Sequence, residues 1–300
     1  MAAGFRIGID LGGTKIEGAA VDASGSVPVR RRLATPAEDY HATIAAVATL
    51  VTGIERELGA AATVGIGMPG TISPATGLVK NANSTWLNGR PLRRDLEAAL
   101  GRPVRLANDA NCFALSEAVD GAAAGLETVF GVILGTGVGG GVVVHGRVWD
   151  GLHGVAGEWG HHGVWAGDPS ARDCYCGQRG CLEAYASGPA VEAHYARLTG
   201  SRAPLAEIAK RRETDEGACV ALDSLLDSLG RGLANVVDVL DPSAIVLGGG
   251  VSNLDLLYAE LAPRMAKYVF NDELETPILR HGLGDSAGVV GAALRALGAS

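Results

Sequence analysis

The chain holds five cysteines, and three of them crowd into the run Cys174-Tyr175-Cys176-Gly177-Gln178-Arg179-Gly180-Cys181, downstream of His161. Three thiolates and one imidazole are the donor set of a Cys3His tetrahedral zinc site. The C-x-C and C-x4-C spacing is not the common C-x2-C knuckle, so residue type carries this reading more than spacing does. Four protein ligands would close the shell. The zinc would then be structural, pinning a loop with little core of its own. His162 competes with His161 for the fourth position, and three unmetallated thiols would give the same text. An odd, clustered cysteine count is not a disulfide framework, and it fits a reducing compartment, the cytoplasm by default.

Three glycine runs suggest contact with phosphate or a flat ligand. In Asp10-Leu11-Gly12-Gly13-Thr14-Lys15 the backbone N–H groups and the Thr14 hydroxyl can cradle phosphate oxygens, and Asp10 can hold Mg2+ directly or through water. An ordinary hairpin turn would look the same. Gly135-Thr136-Gly137-Val138-Gly139-Gly140-Gly141 formally contains the dinucleotide fingerprint G-x-G-x-x-G. That fingerprint needs a helix directly after it. The β-branched run Val142–Val144 follows instead, so a second phosphate hairpin is the better reading. No P-loop pattern occurs. Gly248-Gly249-Gly250 ends an apolar run and would let a backbone approach a nucleoside, or simply turn.

Two further places carry carboxylates. Asn108-Asp109 stands where a strand hands over to a helix. A carboxylate there can take a proton from an incoming hydroxyl, but Asn and Asp are also favoured helix caps. Glu158 and Glu183 flank the cysteine loop, where they would hydrogen-bond a polyol or stand in solvent.

The elements that must position these residues are read from periodicity. Phe5–Asp10 and Ile16–Asp22 around a glycine turn predict a hairpin, with a third strand near 27–33. Helical spacing runs from about Glu38 to Leu58, and strands are expected at Thr63–Met68 and Pro103–Leu106. Short helices follow at Arg94–Leu100 and Ala110–Val119. The pattern restarts after Asp120–Gly125 with Thr128–Leu134, a glycine turn and Val142–Gly146. Helices are expected at Pro189–Leu198, Leu205–Arg211 and Glu216–Leu240. Strands are expected at Ala244–Leu247 and near Pro277–Arg280, and the last helix at Ser286–Leu297. The class is α/β with mixed sheets, in two weakly similar halves, with ligands at the carboxyl ends of strands and a cleft between the halves as the natural active site.

Composition sets the outer limits. Three hundred residues that are 47% hydrophobic can build a real core, so a disordered chain is excluded. The formal net charge of −8 argues against a nucleic-acid partner. No apolar run is long enough to span a bilayer, and Met1–Asp10 lacks the basic and apolar regions of a signal peptide.

Taken together, seven segments resemble the ROK family (repressor, open reading frame, kinase). They are Gly8–Lys15, Gly65–Gly70, Leu106–Cys112, Ile133–Gly141, Gly157–His161, Cys174–Glu183 and Ile245–Asn253, in the family's order over nearly the whole chain. The resemblance implies an actin-like, hexokinase-type ATPase fold of two α/β domains around a central cleft. A smaller domain of 1–118 plus 285–300 and a larger one of 119–284 carrying the zinc loop are expected. It further implies ATP-dependent phosphorylation of a hexose primary hydroxyl in a cytoplasmic homodimer, with no membrane partner.

Carried over by position, Asp109 would be the catalytic base and Asn108 would hold a neighbouring hydroxyl. Gly70, Asn83, Glu158, His161 and Glu183 would be further sugar contacts, His161 serving zinc as well. Asp10, Gly12, Gly13, Thr14 and Lys15 would form one phosphate site with Mg2+. Gly135, Thr136 and Gly137 would form the other, with Gly248 and Gly249 by the adenosine. The segments Asn81–Gly89 and Glu117–Gly125 look most like bacterial fructokinases, so D-fructose is the expected substrate, with mannose or glucose secondary. N-acetylglucosamine kinase and glucokinase of the same family are the alternatives. A non-catalytic sugar-binding regulator is the reading from a different class. The family's repressors carry a DNA-binding domain ahead of this first glycine segment, and Asp10 stands too close to Met1 for that expectation.

Overall fold

Arg6-Ile7-Gly8-Ile9-Asp10-Leu11 forms the first strand, β1 (Arg6–Leu11), and folds back antiparallel on β2 (Lys15–Val21), with Arg6 opposite Val21 and Leu11 opposite Ile16. The expected glycine hairpin is therefore present. A computed structural model describes residues 4–284 and 287–296. Its contacts divide the chain into unit 1, Met1–Ala124 with Arg147–Ala156 and Leu283–Ser300, and unit 2, Gly125–Gly146 with Gly157–Gly282. Arg147–Ala156 thus packs with unit 1, although the sequence reading placed it in the zinc-loop domain. Residues 1–3, 285–286 and 297–300 of the expected smaller domain lie outside the described residues, as do both ends of the expected last helix, Ser286 and Leu297.

Unit 1 continues with β3 (Val29–Ala34), α1 (Tyr40–Leu58), β4 (Thr63–Met68), β5 (Thr71–Ile72), β6 (Val79–Lys80), α2 (Leu92–Leu100), β7 (Val104–Asn108) and α3 (Asp109–Val119). Unit 2 opens with the hairpin β8 (Thr128–Leu134) and β9 (Val138–Val144). The short β10 (Arg147–Val148) belongs to unit 1. Then follow α4 (Glu183–Ala186), α5 (Gly188–Thr199), α6 (Leu205–Lys210), α7 (Glu216–Leu240), β11 (Ala244–Gly248), α8 (Asp255–Met265) and β12 (Ile278–Arg280). The chain's last described helix, α9 (Ala287–Arg295), is in unit 1.

The sheet of unit 1 has the order β3-β2-β1-β4-β7, antiparallel at its hairpin and parallel from β1 through β4 to β7. Within unit 2 the order is β9-β8-β11-β12, again antiparallel at the hairpin and parallel from β8 through β11 to β12. Both halves place one hairpin beside parallel strands, which is the duplication that the two glycine turns predict.

The helices follow their sequence signals. The Asp39 carboxylate accepts from Ala42 N–H to cap α1, which buries Ile44, Val47, Val51 and Ile54 and stops at Gly59 with φ 67°. Asp215 caps α7 in the same way, and that helix lays Leu222, Leu225, Leu226, Leu229 and Leu233 into the core of unit 2. The helix α8 was not expected. Pro263 interrupts its text, but the four-residue spacing of the buried Leu257, Leu261 and Met265 is a helical signal.

Glycines let α9 lie directly on the sheet. A Cβ on Gly8 would overlap the Val289 carbonyl, and one on Gly65 would overlap the Ala292 carbonyl. Backbone cannot give way as a side-chain tip can, so the substitution must shift the helix. Gly65→Ala is expected to destabilise unit 1 by about 2–3 kcal/mol. Urea unfolding checks this, and an unchanged midpoint would show that the helix has room.

Candidate active site and metal centre

In unit 1 the first glycine turn is closed by its own backbone, Gly12 N–H donating to Lys15 O at 3.0 Å. Thr35 ties it from beneath. Its hydroxyl donates to Gly12 O at 2.7 Å and its N–H to Thr14 O at 3.0 Å. Gly13, Thr14 and Lys15 are exposed while Thr35 holds the turn. Asp10, on the strand before the turn, is less exposed. Burial, reinforced by the charge of Glu17, pushes its carboxyl above the usual carboxylate range. The positive charges of Lys15 and Arg32 offset this only in part, and the carboxylate and hydroxyl oxygens of Asp10 and Thr14 are the hard donors Mg2+ prefers.

The strand-to-helix junction settles which residue is the cap. Asn108 Oδ1 accepts from Ala110 N–H at 2.9 Å and from Asn111 N–H at 3.4 Å. Asn108 is therefore the cap of α3, and Asp109 is its first helical residue. Asp109 is exposed, in the first turn of the helix. Its Oδ1 accepts from Ala110 N–H at 2.8 Å. Asn108 Nδ2 donates to Gly70 O at 3.0 Å, so two expected sugar-side residues meet. Gly70 sits at φ 71°, where a side chain would strain the backbone and strike Lys80 and Ala82. Asn83 is exposed in the next segment. Its neighbour Ala82 is held by Asn88, which accepts from Ala82 N–H and donates to Ala82 O, both at 2.9 Å. Asn88 was not singled out from sequence. Its place before Gly89 was the available signal for a turn-forming side chain.

In unit 2 a strand, not a helix, follows the second glycine turn, which removes the dinucleotide reading. The turn of Gly135, Thr136 and Gly137 is clasped on several sides. Glu183 Oε2 accepts from Val138 N–H at 2.7 Å, Trp159 Nε1 donates to Gly139 O at 2.9 Å, and Gly188 N–H donates to Gly135 O at 2.9 Å. Glu183 thus anchors the turn, a role the sequence did not reveal. Glu158 is half-buried and opens the short 3-10 turn Trp159–His161. Gly248 ends β11. Gly249 has φ 83°, and a Cβ there would strike the Leu134 carbonyl, so the local backbone alone demands glycine.

His161, Cys174, Cys176 and Cys181 converge, with their ligand atoms all within 4.8 Å of one another. His161 Nδ1 lies 3.6 Å from Cys174 Sγ, and Cys176 Sγ lies 3.6 Å from Cys181 Sγ. Zinc–sulfur bonds of about 2.3 Å in a tetrahedron give edges of about 3.8 Å, so these spacings fit. His161, not His162, is the histidine of the set. The loop reaches this shape through a narrow ladder, Cys174 N–H donating to Gln178 O and Gly177 N–H to Cys174 O. Burial, with the neighbouring Cys176 and Cys174, pushes the Cys181 thiol up to about 12. Three thiols and an imidazole at these spacings are a donor set that suits zinc, which would displace the thiol protons on binding.

Metal analysis is expected to find about one zinc per chain. Cys176→Ser is expected to lose it and loosen the 174–181 loop, with weaker sugar binding through His161. A zinc-free protein of full activity would contradict this. Because zinc displaces thiol protons, its affinity is expected to fall as the pH falls.

Against this geometry the sequence profile of the ROK family matches residues 6–298. The N-acetyl-D-glucosamine kinase of Photobacterium profundum is 41% identical over 294 residues, covering 95% of this chain and 97% of that protein. The crystal structure of the ROK hexokinase from Thermus thermophilus matches with a TM-score of 0.85 at 34% identity, covering 97% of both chains. That of a ROK family glucokinase from Streptomyces griseus, in complex with glucose and AMPPNP, matches with a TM-score of 0.78 at 31% identity, over 97% of this chain and 98% of that one. The hexokinase-type α/β fold is therefore present, and the chain belongs to the ROK family, grouped with its sugar kinases.

Proposed function

We propose that the chain transfers the γ-phosphoryl group of ATP to the primary hydroxyl of N-acetyl-D-glucosamine. The observation that carries the choice of sugar is the 41% identity, over nearly both full lengths, to a kinase named for that substrate. Fructose, to which the segments Asn81–Gly89 and Glu117–Gly125 pointed, has no comparable support. Similarity along the whole chain outweighs likeness in two loops.

In this reading Asp109 accepts the hydroxyl proton as the sugar oxygen forms its bond to the γ-phosphorus and the bond to the ADP oxygen breaks. Asn108 spends one amide N–H on Gly70 O and keeps the other for a hydroxyl of the acceptor. Gly70, Asn83, Glu158, His161 and Glu183 hold the rest of the sugar. Gly13, Thr14 and Lys15 receive phosphate oxygens, and Thr136 and Gly137 receive others, while the Gly12 and Gly135 amides close the two turns from within and Gly248 and Gly249 lie beside the adenosine. Backbone donors fixed in advance cost no reorganisation as charge shifts. Mg2+ held at Asp10 neutralises phosphate charge when bound. Zinc is structural, holding the segment from which Glu158, His161 and Glu183 project.

Asp109→Asn is expected to keep ATP and sugar binding and to lose turnover by about 10²–10⁴-fold. Near-normal turnover would place the base elsewhere. The acceptor is tested by ADP release with Mg2+ across N-acetylglucosamine, N-acetylmannosamine, glucose, mannose and fructose. The first sugar is expected to give the highest kcat/KM. Fructose in first place would overturn the acceptor reading, and no active sugar would overturn the kinase reading.

A further inference from the structure

Most arginines of unit 2 are spent on carboxylates: Arg179 on Asp173, Arg212 and Arg264 on Asp223 and Glu260, Arg231 on Asp227, and Arg280 on Asp255. Arg172, Arg197 and Arg202, like Arg211 with its bond to the Tyr195 hydroxyl, are different. Among the described residues no carboxylate pairs with any of them. Arg172 and Arg197 line one cavity of about 510 Å³, between the segment before the zinc loop and the face of α5 that carries Ala190 and Ala193. Small alanines leave the floor open. A neighbouring cavity shares Ala193 and Arg197 and adds Arg202.

Arg172 and Arg197 are held by neutral partners, and the carboxylate that shares their cavity, Asp173, is turned to another arginine. The Arg172 guanidinium stacks 4.1 Å from the Tyr185 ring centre. Its Nη1 donates to Ala184 O at 3.0 Å and its Nη2 to Ser224 Oγ at 3.3 Å. Arg197 Nη2 lies 3.5 Å from His194 Nδ1. Burial, and then the charges of Arg172 and Arg197, push the His194 imidazole down to about 4. At neutral pH it therefore bears no charge, and its Nδ1 is able to accept from Arg197. The carboxylates nearby are committed. Asp173, whose side chain is 90% exposed, pairs with Arg179 at 3.1 Å. Glu192 accepts from Leu205 N–H at 2.8 Å.

We propose that Arg172 and Arg197 form a second anion site, separate from the residues assigned to catalysis, which takes a phosphate monoester or inorganic phosphate as a dianion. Two guanidinium forks offer the planar, paired donors that phosphate oxygens accept, and two positive charges match a dianion better than a monocarboxylate. In a chain of net charge −8 such a concentration of positive charge is local, not a property of the surface at large. The site also adjoins the zinc loop through backbone. Arg172 O accepts from Gly180 N–H at 2.8 Å, and Arg172 N–H donates to the Tyr185 hydroxyl at 2.9 Å. Tyr185 lies in α4, the helix that begins at Glu183.

The test is calorimetric titration of the zinc-loaded protein, saturated with AMPPNP and Mg2+, with inorganic phosphate and separately with glycerol 3-phosphate. One site per chain is expected, and Arg197→Ala is expected to weaken it at least tenfold without changing AMPPNP binding. Arg197 is exposed, so the variant keeps the fold. Tighter binding of the ester would identify a phosphate monoester whose organic part enters the neighbouring cavity, and equal or weaker binding would identify inorganic phosphate. No binding in the wild type, or equal binding in wild type and Arg197→Ala, would overturn the proposal.

Discussion

A glycine-rich turn has few side chains with which to hold itself. Gly135–Gly137 meets that constraint by being clasped from outside, and much of unit 2 is arranged to do so. Glu183 takes the Val138 amide, Trp159 takes the Gly139 carbonyl, and Gly188 takes the Gly135 carbonyl. None of these residues belongs to the turn. Their own placement depends on the segment around the cysteine cluster. Trp159 opens the short turn that ends in His161, and Glu183 stands just beyond Cys181. The four clustered side chains therefore link the two stretches that grip the Gly135–Gly137 turn. Zinc bound there would steady the proposed nucleotide side as well as the proposed sugar side.

Unit 1 solves the same problem with packing. Its turn is tied by Thr35, and its sheet is backed by α9 lying on Gly8 and Gly65. Asn108 joins the remaining pieces, capping α3 with its oxygen and reaching Gly70 with its nitrogen. Asn108 takes the Ala110 and Asn111 amides, and Asp109 shares the first of them. One residue orders the helix, and the next presents a carboxylate from its first turn.

The parts legible in sequence were those whose chemistry is local. Glycine hairpins, the strand after Gly141, the Cys3His donor set and the long helix Glu216–Leu240 are all written in adjacent residues. The parts that were not legible depend on partners distant in sequence. Glu183 meeting Val138, Glu17 buried at 2% exposure between Arg30 and Arg32, and Arg147–Ala156 packing with unit 1 have no local signature. The Asn108-Asp109 pair lies between these cases. Its location was readable, but which residue caps and which is presented required the backbone. The sugar was the least legible element, since a preference among hexoses rests on a few hydroxyl positions that no motif encodes.

Amide hydrogen exchange, with zinc bound and after zinc is stripped, tests most directly whether the metal and the Gly135–Gly137 turn form one mechanical unit. Protection of the Val138 amide is expected to fall at least tenfold on zinc removal. Ile7 and Ile9 in β1 should keep theirs. Val138 protection that is unchanged in zinc-free protein would contradict it, and would leave the cysteine loop as a local staple with no bearing on the nucleotide.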